Sequence, residues 1–177
     1  MVKYVFRGGV NVELSDVFDC NGNLTGKVIE RNGELKKGEY DLGVHIYIIN
    51  SEGRFLIQKR AKCKKHYPDI WDINMGNVIS GEKSKEAAIR ETFEEIGIKI
   101  EDDELEFVKR FKWERYNHLL DIWVIHRDVD ISITKLREEE VSEVKYVEKE
   151  ELIKLLSDDS SNRPWRPAEY VDFIKTL

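Results

Sequence analysis

The segment ETFEE carries three glutamates, Glu91, Glu94 and Glu95, inside the longer run GEKSKEAAIRETFEEIGI, residues 81–98. Side chains three and four positions apart share one face of an α-helix, so these carboxylates project together. Like charges at that spacing cost about a few tenths of a kcal/mol per pair unless a cation sits among them. Oxygen-only donors suit hard ions, and a few carboxylates completed by waters and substrate phosphates are how Mg²⁺ or Mn²⁺ is held. The ordinary alternative for a Glu-rich helix is a solvated face paired with Lys85 or Arg90.

The spacing predicts a helix from Ser84 to Ile96, with Ala87, Ala88, Ile89, Phe93 and Ile96 on its apolar positions, Ser84 as N-cap and Gly97 just past the end. Upstream, LGVHIYIIN and RFLIQKR flank the turn SEG and read as two central strands. An earlier hairpin, residues 13–35, is signalled by Asn21-Gly22. The stretch AKCKKHYPDIWDINMGNVISGE between strand and helix reads as a long loop, basic in its first half. Downstream, LEFVKRFKWERY, HLLDIWVIHRDV and VSEVKYVE read as strands, KEELIKLLSD and PAEYVDFIKTL as helices, and NRPWRPAE as a connector. The fold class is therefore α/β (α+β), a mixed sheet with helices on its faces.

A chain of 177 residues is the size of one domain, and residues 1–177 are expected to form one. The longest apolar run, VHIYII, is too short to span a bilayer, and the first residues lack the apolar stretch of a secretory signal, so a cytoplasmic location is expected. A net charge of -6 argues against broad nucleic-acid binding through a basic surface, yet leaves room for a small phosphate ester held through a cation. Cys20 and Cys63 are too few and too far apart for a disulfide framework and read as free thiols.

Around the acidic run the spacing is Gly76, five residues, Glu82, seven residues, then RETFEEIGI. This resembles the Nudix box, G-x5-E-x7-R-E-U-x-E-E-x-G-U with U aliphatic, here residues 76–98; Thr92 stands where the pattern has an aliphatic residue. Seven fixed positions at set spacing arise by accident on the order of once in a million in such a chain. The resemblance implies an α/β/α sandwich and a hydrolase acting on diphosphates with Mg²⁺ or Mn²⁺. It implies further that Glu91, Glu94 and Glu95 are metal ligands, with Glu91 doubling as general base. Arg90 would orient the glutamates, the Gly76 carbonyl would complete the metal shell, and Glu82 would give support and secondary metal binding. Members of the family often take an additional carboxylate from outside the box, for which Glu139, Glu140 and Glu143 are candidates, the ordinary alternative for each being an exposed loop residue.

Over residues 13–150 the chain is also similar to the Nudix branch of isopentenyl-diphosphate isomerase, through QKR at a strand end, a Lys-rich loop and P-x-x-W before the box. That enzyme places a cysteine just before the opening glycine, where this chain has Met75, and a thioether neither gives nor takes the required proton. Hydrolysis of a nucleoside diphosphate or its derivative is the expected activity; isomerisation and non-catalytic nucleotide sensing are the alternatives. For substrate phosphates the basic cluster offers Lys59, Arg60, Lys62, Lys64 and Lys65, with Arg60 preferred for its planar fork. Trp71, Tyr67 and Trp113 are candidates for stacking or for the core, and the histidines, lacking metal-ligand spacing, are assigned no site. A homodimer is left open.

Overall fold

One strand of alternating burial organises the molecule. In β4 (Asp41–Ile49), Val44, Ile46 and Ile48 pack to one side with Ala87, Ala88 and Ile96 of α1 (Ser84–Ile96). Tyr47 and Ile49 pack to the other side with Leu152 and Leu156 of α2 (Lys149–Leu156) and Tyr170 and Ile174 of α3 (Ala168–Ile174). Period-two alternation thus buries a strand on both faces and gives each face its own core. Each isoleucine so buried contributes about 1.5–3 kcal/mol. This computed structural model describes residues 4–7, 10–158, 160 and 163–177.

The main sheet has the order β10 (Val141–Val147), β5 (Phe55–Arg60), β4, β9 (His118–His126), β8 (Glu106–Trp113). β4 runs parallel to β9, while β4–β5, β5–β10 and β8–β9 are antiparallel, so the sheet is mixed. With α1 on one face and α2 and α3 on the other, the architecture is the α/β/α sandwich anticipated from the sequence. Among the described residues no helix is long and apolar enough to cross a membrane.

Several local expectations are corrected. The stretch read as a long loop contains β6 (Trp71–Asp72), paired with β5, and β7 (Asn74–Asn77), paired with β4. These short strands fill the gap where β5 leaves β4 after only two residue pairs, Ile48–Leu56 and Ile49–Phe55. The N-terminal hairpin is β2 (Val10–Phe18) against β3 (Leu24–Glu30), and a further strand, β1 (Tyr4–Arg7), extends it into a separate three-stranded sheet. That sheet grips the segment leading into α1: the Ser80 amide donates to Leu14 O at 2.7 Å, and Asp16 accepts from the Ser80 hydroxyl at 2.6 Å and the Gly81 amide at 2.7 Å.

At the start of α1 the N-cap is Lys83, with its amide bonded back to Glu86 Oε2 at 3.0 Å; Ser84 is already helical, and its hydroxyl accepts from the Trp123 indole at 2.9 Å. Phe93, expected on the apolar face, is 49% exposed. Gly97 closes the helix in the left-handed region at φ 72°, as its position suggested. The segment read as a connector buries Arg166, whose Nη2 lies 2.6 Å from Asp72 Oδ1 with both side chains 1% exposed.

Candidate active site

A cleft of about 300 Å³ opens where β7 meets α1. Gly76 on β7 forms part of its floor, with the Glu91, Glu94 and Glu95 side chains of α1 on its wall. The lack of a side chain at Gly76 is what lets Glu91 lie there, since a Cβ would fall 2.0 Å from Glu91 Cδ.

Arg90 organises the carboxylates. Its Nε and Nη2 donate to the two oxygens of Glu82 at 2.8 and 2.9 Å, Nη2 also to Asn77 O at 2.9 Å, and Nη1 to Glu91 Oε1 at 2.8 Å. Glu94 Oε2 lies farther off, at 3.5 Å. Burial opposes the charge on Arg90, but Glu82 and Glu91 outweigh it and hold the guanidinium protonated well above its ordinary range. Such a bidentate clamp fixes Glu82 and turns Glu91 toward the cleft.

Glu95 is held differently. Gln58 Nε2 and Asn74 Nδ2 both donate to its Oε2, at 2.6 and 2.7 Å. Thr92, fully buried, shares its hydroxyl proton between Asn74 Oδ1 at 2.9 Å and Ala88 O at 2.8 Å, so the residue that departs from the box pattern helps to orient the amide holding Glu95. Burial pushes the Glu95 carboxyl up to about 8, against the Gln58 hydrogen bond. It also raises Glu91, with Arg90 opposing. Two carboxyls that water no longer solvates are suited to a cation, which would offset the cost of their charge.

The predicted site residues separate into two groups. Glu91, Glu94, Glu95, Arg90, Gly76 and Arg60 line the cleft, and so does Glu140 among the extra carboxylates. Glu82 does not; it is occupied by Arg90 and by the Ile79 amide at 3.0 Å. Lys59, bonded to Glu143 at 3.1 Å and near Asp69 at 3.2 Å, sits with Lys145 over the ring of Trp71, at 5.9 and 4.8 Å. Lys59, Lys65, Trp71, Glu139 and Glu143 lie outside the lining. Lys64 of the basic cluster also lines the cleft, paired with Glu140, whereas sequence reasoning missed Arg137, Glu13 paired with Arg31 at 2.5 Å, and the histidines His45 and His118, all of which line it. Their only sequence signal was charge, because each reaches the cleft from a distant element.

The sequence matches the NUDIX domain over residues 39–168, and the chain belongs to the Nudix family. It is 39% identical to an uncharacterized Nudix hydrolase of Listeria monocytogenes over 143 residues, 80% of this chain and 83% of that one. Over 93 residues, 52% of this chain and 47% of the other, it is 31% identical to the isopentenyl-diphosphate Delta-isomerase of Streptomyces coelicolor. In fold it is similar to the crystal structure of DR0079 from Deinococcus radiodurans, with a TM-score of 0.72 at 18% identity, covering 93% of this chain and 98% of that one. Family membership makes it a hydrolase of pyrophosphate bonds, an activity that in Nudix enzymes generally uses a divalent metal on small-molecule diphosphates.

Proposed function

We propose that the chain, as one Nudix domain over residues 1–177, hydrolyses the diphosphate linkage of a nucleoside diphosphate or nucleoside diphosphate derivative, with Mg²⁺ or Mn²⁺ as cofactor. The observation that carries this reading is the gathering of Glu91, Glu94, Glu95 and the Gly76 backbone in a cleft that also holds Arg60. Among the described residues no three acidic, histidine or cysteine side chains stand together as a group that could hold a metal ion by themselves, so a cation here would rely on two carboxylates at most, with the Gly76 carbonyl, waters and substrate oxygens. An open, all-oxygen donor set fits a hard cation that keeps waters and takes substrate phosphates as its remaining ligands. When bound, that cation would neutralise phosphoryl oxygens and acidify a water.

The chain's own groups supply the rest. Arg90 donates to Glu91 Oε1, leaving Oε2 to accept the proton of a water attacking phosphorus. The P–O bond of the anhydride breaks, and a phosphate leaves with the electron pair. Arg60, bonded through Nε and Nη2 to the carbonyls of Tyr67 and His66 at 3.2 Å each, keeps further N–H groups for the phosphate that departs. Lys59, Lys65 and Trp71 lie outside the cleft, and Lys64, which lines it, is taken up by Glu140, which leaves Arg60 as the phosphate holder.

The test is product release from a panel of diphosphate compounds with Mg²⁺ or Mn²⁺. Turnover of nucleoside diphosphates supports the reading; failure on every member contradicts it. Isomerisation of isopentenyl diphosphate is the second reading, supported by the likeness to the Streptomyces coelicolor isomerase. Met75, on the cleft lining just before Gly76, opposes it. Conversion of labelled isopentenyl diphosphate to dimethylallyl diphosphate would establish that second reading and displace the first.

A further inference from the structure

His118 opens β9 directly opposite Asp41, the first residue of β4, in the parallel pairing of the two strands. Its Nδ1 lies 2.5 Å from Asp41 Oδ1. An ionised carboxylate only accepts, so Nδ1 carries the proton, and in the neutral ring Nε2 presents its lone pair. Nε2 has no hydrogen-bond partner among the described residues, yet it is not one of their buried unpartnered atoms, so it is open to the cleft that the ring lines.

Two glycines set its position. A Cβ at Gly43 would fall 2.6 Å from His118 Nε2 and 3.2 Å from the Gly76 carbonyl oxygen, while one at Gly76 would fall 2.0 Å from Glu91 Cδ. Glu91, Gly76 and His118 therefore follow one another along the floor. A molecule whose diphosphate meets Glu91 and whose chain runs on along this floor brings its next group beside Nε2. In a nucleoside diphosphate or a nucleotide sugar that next group is a hydroxylated ring; in an isoprenoid diphosphate it is hydrocarbon, with no proton to donate. Met75 and Leu120, on the same stretch of lining, offer no strong polar group to compete.

We infer that Asp41 and His118 form a specificity element in which His118 Nε2 accepts a hydrogen bond from a ring hydroxyl of the group joined to the diphosphate. The inference rests on the hydrolase reading above. His118 touches the substrate, and Asp41 is a positioning residue that acts through the tautomer of the ring.

Binding tests it without requiring turnover. With the full chain and Mg²⁺, affinities are measured for two pairs of probes. The ribose pair is an α,β-methylene nucleoside diphosphate and its 2′,3′-dideoxy counterpart; the sugar pair is UDP-glucose and UDP-2-deoxyglucose. Wild type is expected to prefer the hydroxylated member of one pair by about tenfold, the ratio that one well-placed hydrogen bond gives. His118→Phe should bring that ratio to about one, whereas His118→Gln, which keeps an acceptor oxygen, should retain part of it. In Asp41→Asn a carboxamide can donate to Nδ1, which favours the tautomer protonated at Nε2, and ¹⁵N spectra of labelled histidine should show that change of tautomer at His118 relative to wild type. A ratio confined to the ribose pair assigns ribose, and one confined to the sugar pair assigns the sugar. Equal or undetectable binding within both pairs, or a ratio that survives His118→Phe, overturns the inference. An intact ratio without hydrolysis of any diphosphate would count against the hydrolase reading alone.

Discussion

Gly76 and Glu91 occupy each other's space: the carboxyl of Glu91 lies where a side chain at Gly76 would be, 2.0 Å from the position of its Cβ. Gly76→Ala must therefore push Glu91 away from the floor of the cleft. Both residues sit in elements whose hydrogen bonding does not depend on that contact, so the fold should survive. We expect kcat/KM to fall about 100-fold, the scale of an ångström-sized misplacement of a catalytic group, with an unchanged far-ultraviolet circular dichroism spectrum.

Arg90 binds Glu82 through both of its oxygens and holds Glu91 as well. Arg90→Ala leaves two largely buried carboxylates without their cation. The destabilisation expected in urea unfolding is roughly 2–3 kcal/mol, below the full cost of breaking a buried pair because solvent reaches part of the guanidinium. Arg90→Lys should recover only a fraction, since an ammonium cannot make the two parallel bonds to Glu82.

At Thr92 the departure from the family pattern makes a separate prediction. Thr92→Val restores the aliphatic residue but leaves the buried Asn74 Oδ1 without the hydroxyl. Stability should fall by about 1–3 kcal/mol, the cost of an unsatisfied buried acceptor, as read from the denaturation midpoint. A gain in stability would show that the hydroxyl is only tolerated.

His45 is buried against Tyr170, with Nδ1 2.6 Å from its hydroxyl. Burial, with the Arg166 guanidinium nearby, holds its pKa well below 6.5. The unfolded chain therefore takes up a proton below pH 6.5 that the folded chain refuses. This contribution to stability is complete above that pH and is lost as pH falls toward the folded pKa, by up to about 1.4 kcal/mol per unit. Unfolding free energies at pH 7.5 and 5.5 should show a smaller difference in His45→Gln than in wild type.

Much of this was legible in the sequence because it was local. The helix of Ser84–Ile96, its stop at Gly97 and the hairpin of β4 and β5 all rest on patterns within a few residues. What escaped was set by pairing across long separations. Asp41 and His118 meet only because β4 and β9 run parallel, and no spacing within either segment announces it. Arg166 looked like a residue of a polar connector until Asp72 in β6 supplied its partner. Lys59 and Trp71 were close in sequence to the cleft, but they turn instead to Glu143 and Lys145 of β10. The basic cluster had the right charge and no information about which face each side chain would take.

The most direct measurement compares product release from nucleoside diphosphates by wild type and Glu95→Gln, each with and without Mg²⁺. Glu95 is anchored by Gln58 and Asn74, which can hold a carboxamide in nearly the same place, so the variant changes charge more than shape. The account predicts turnover that requires the metal and falls at least about 100-fold in the variant. Turnover that is indifferent to Mg²⁺, or equal in the two proteins, would contradict it.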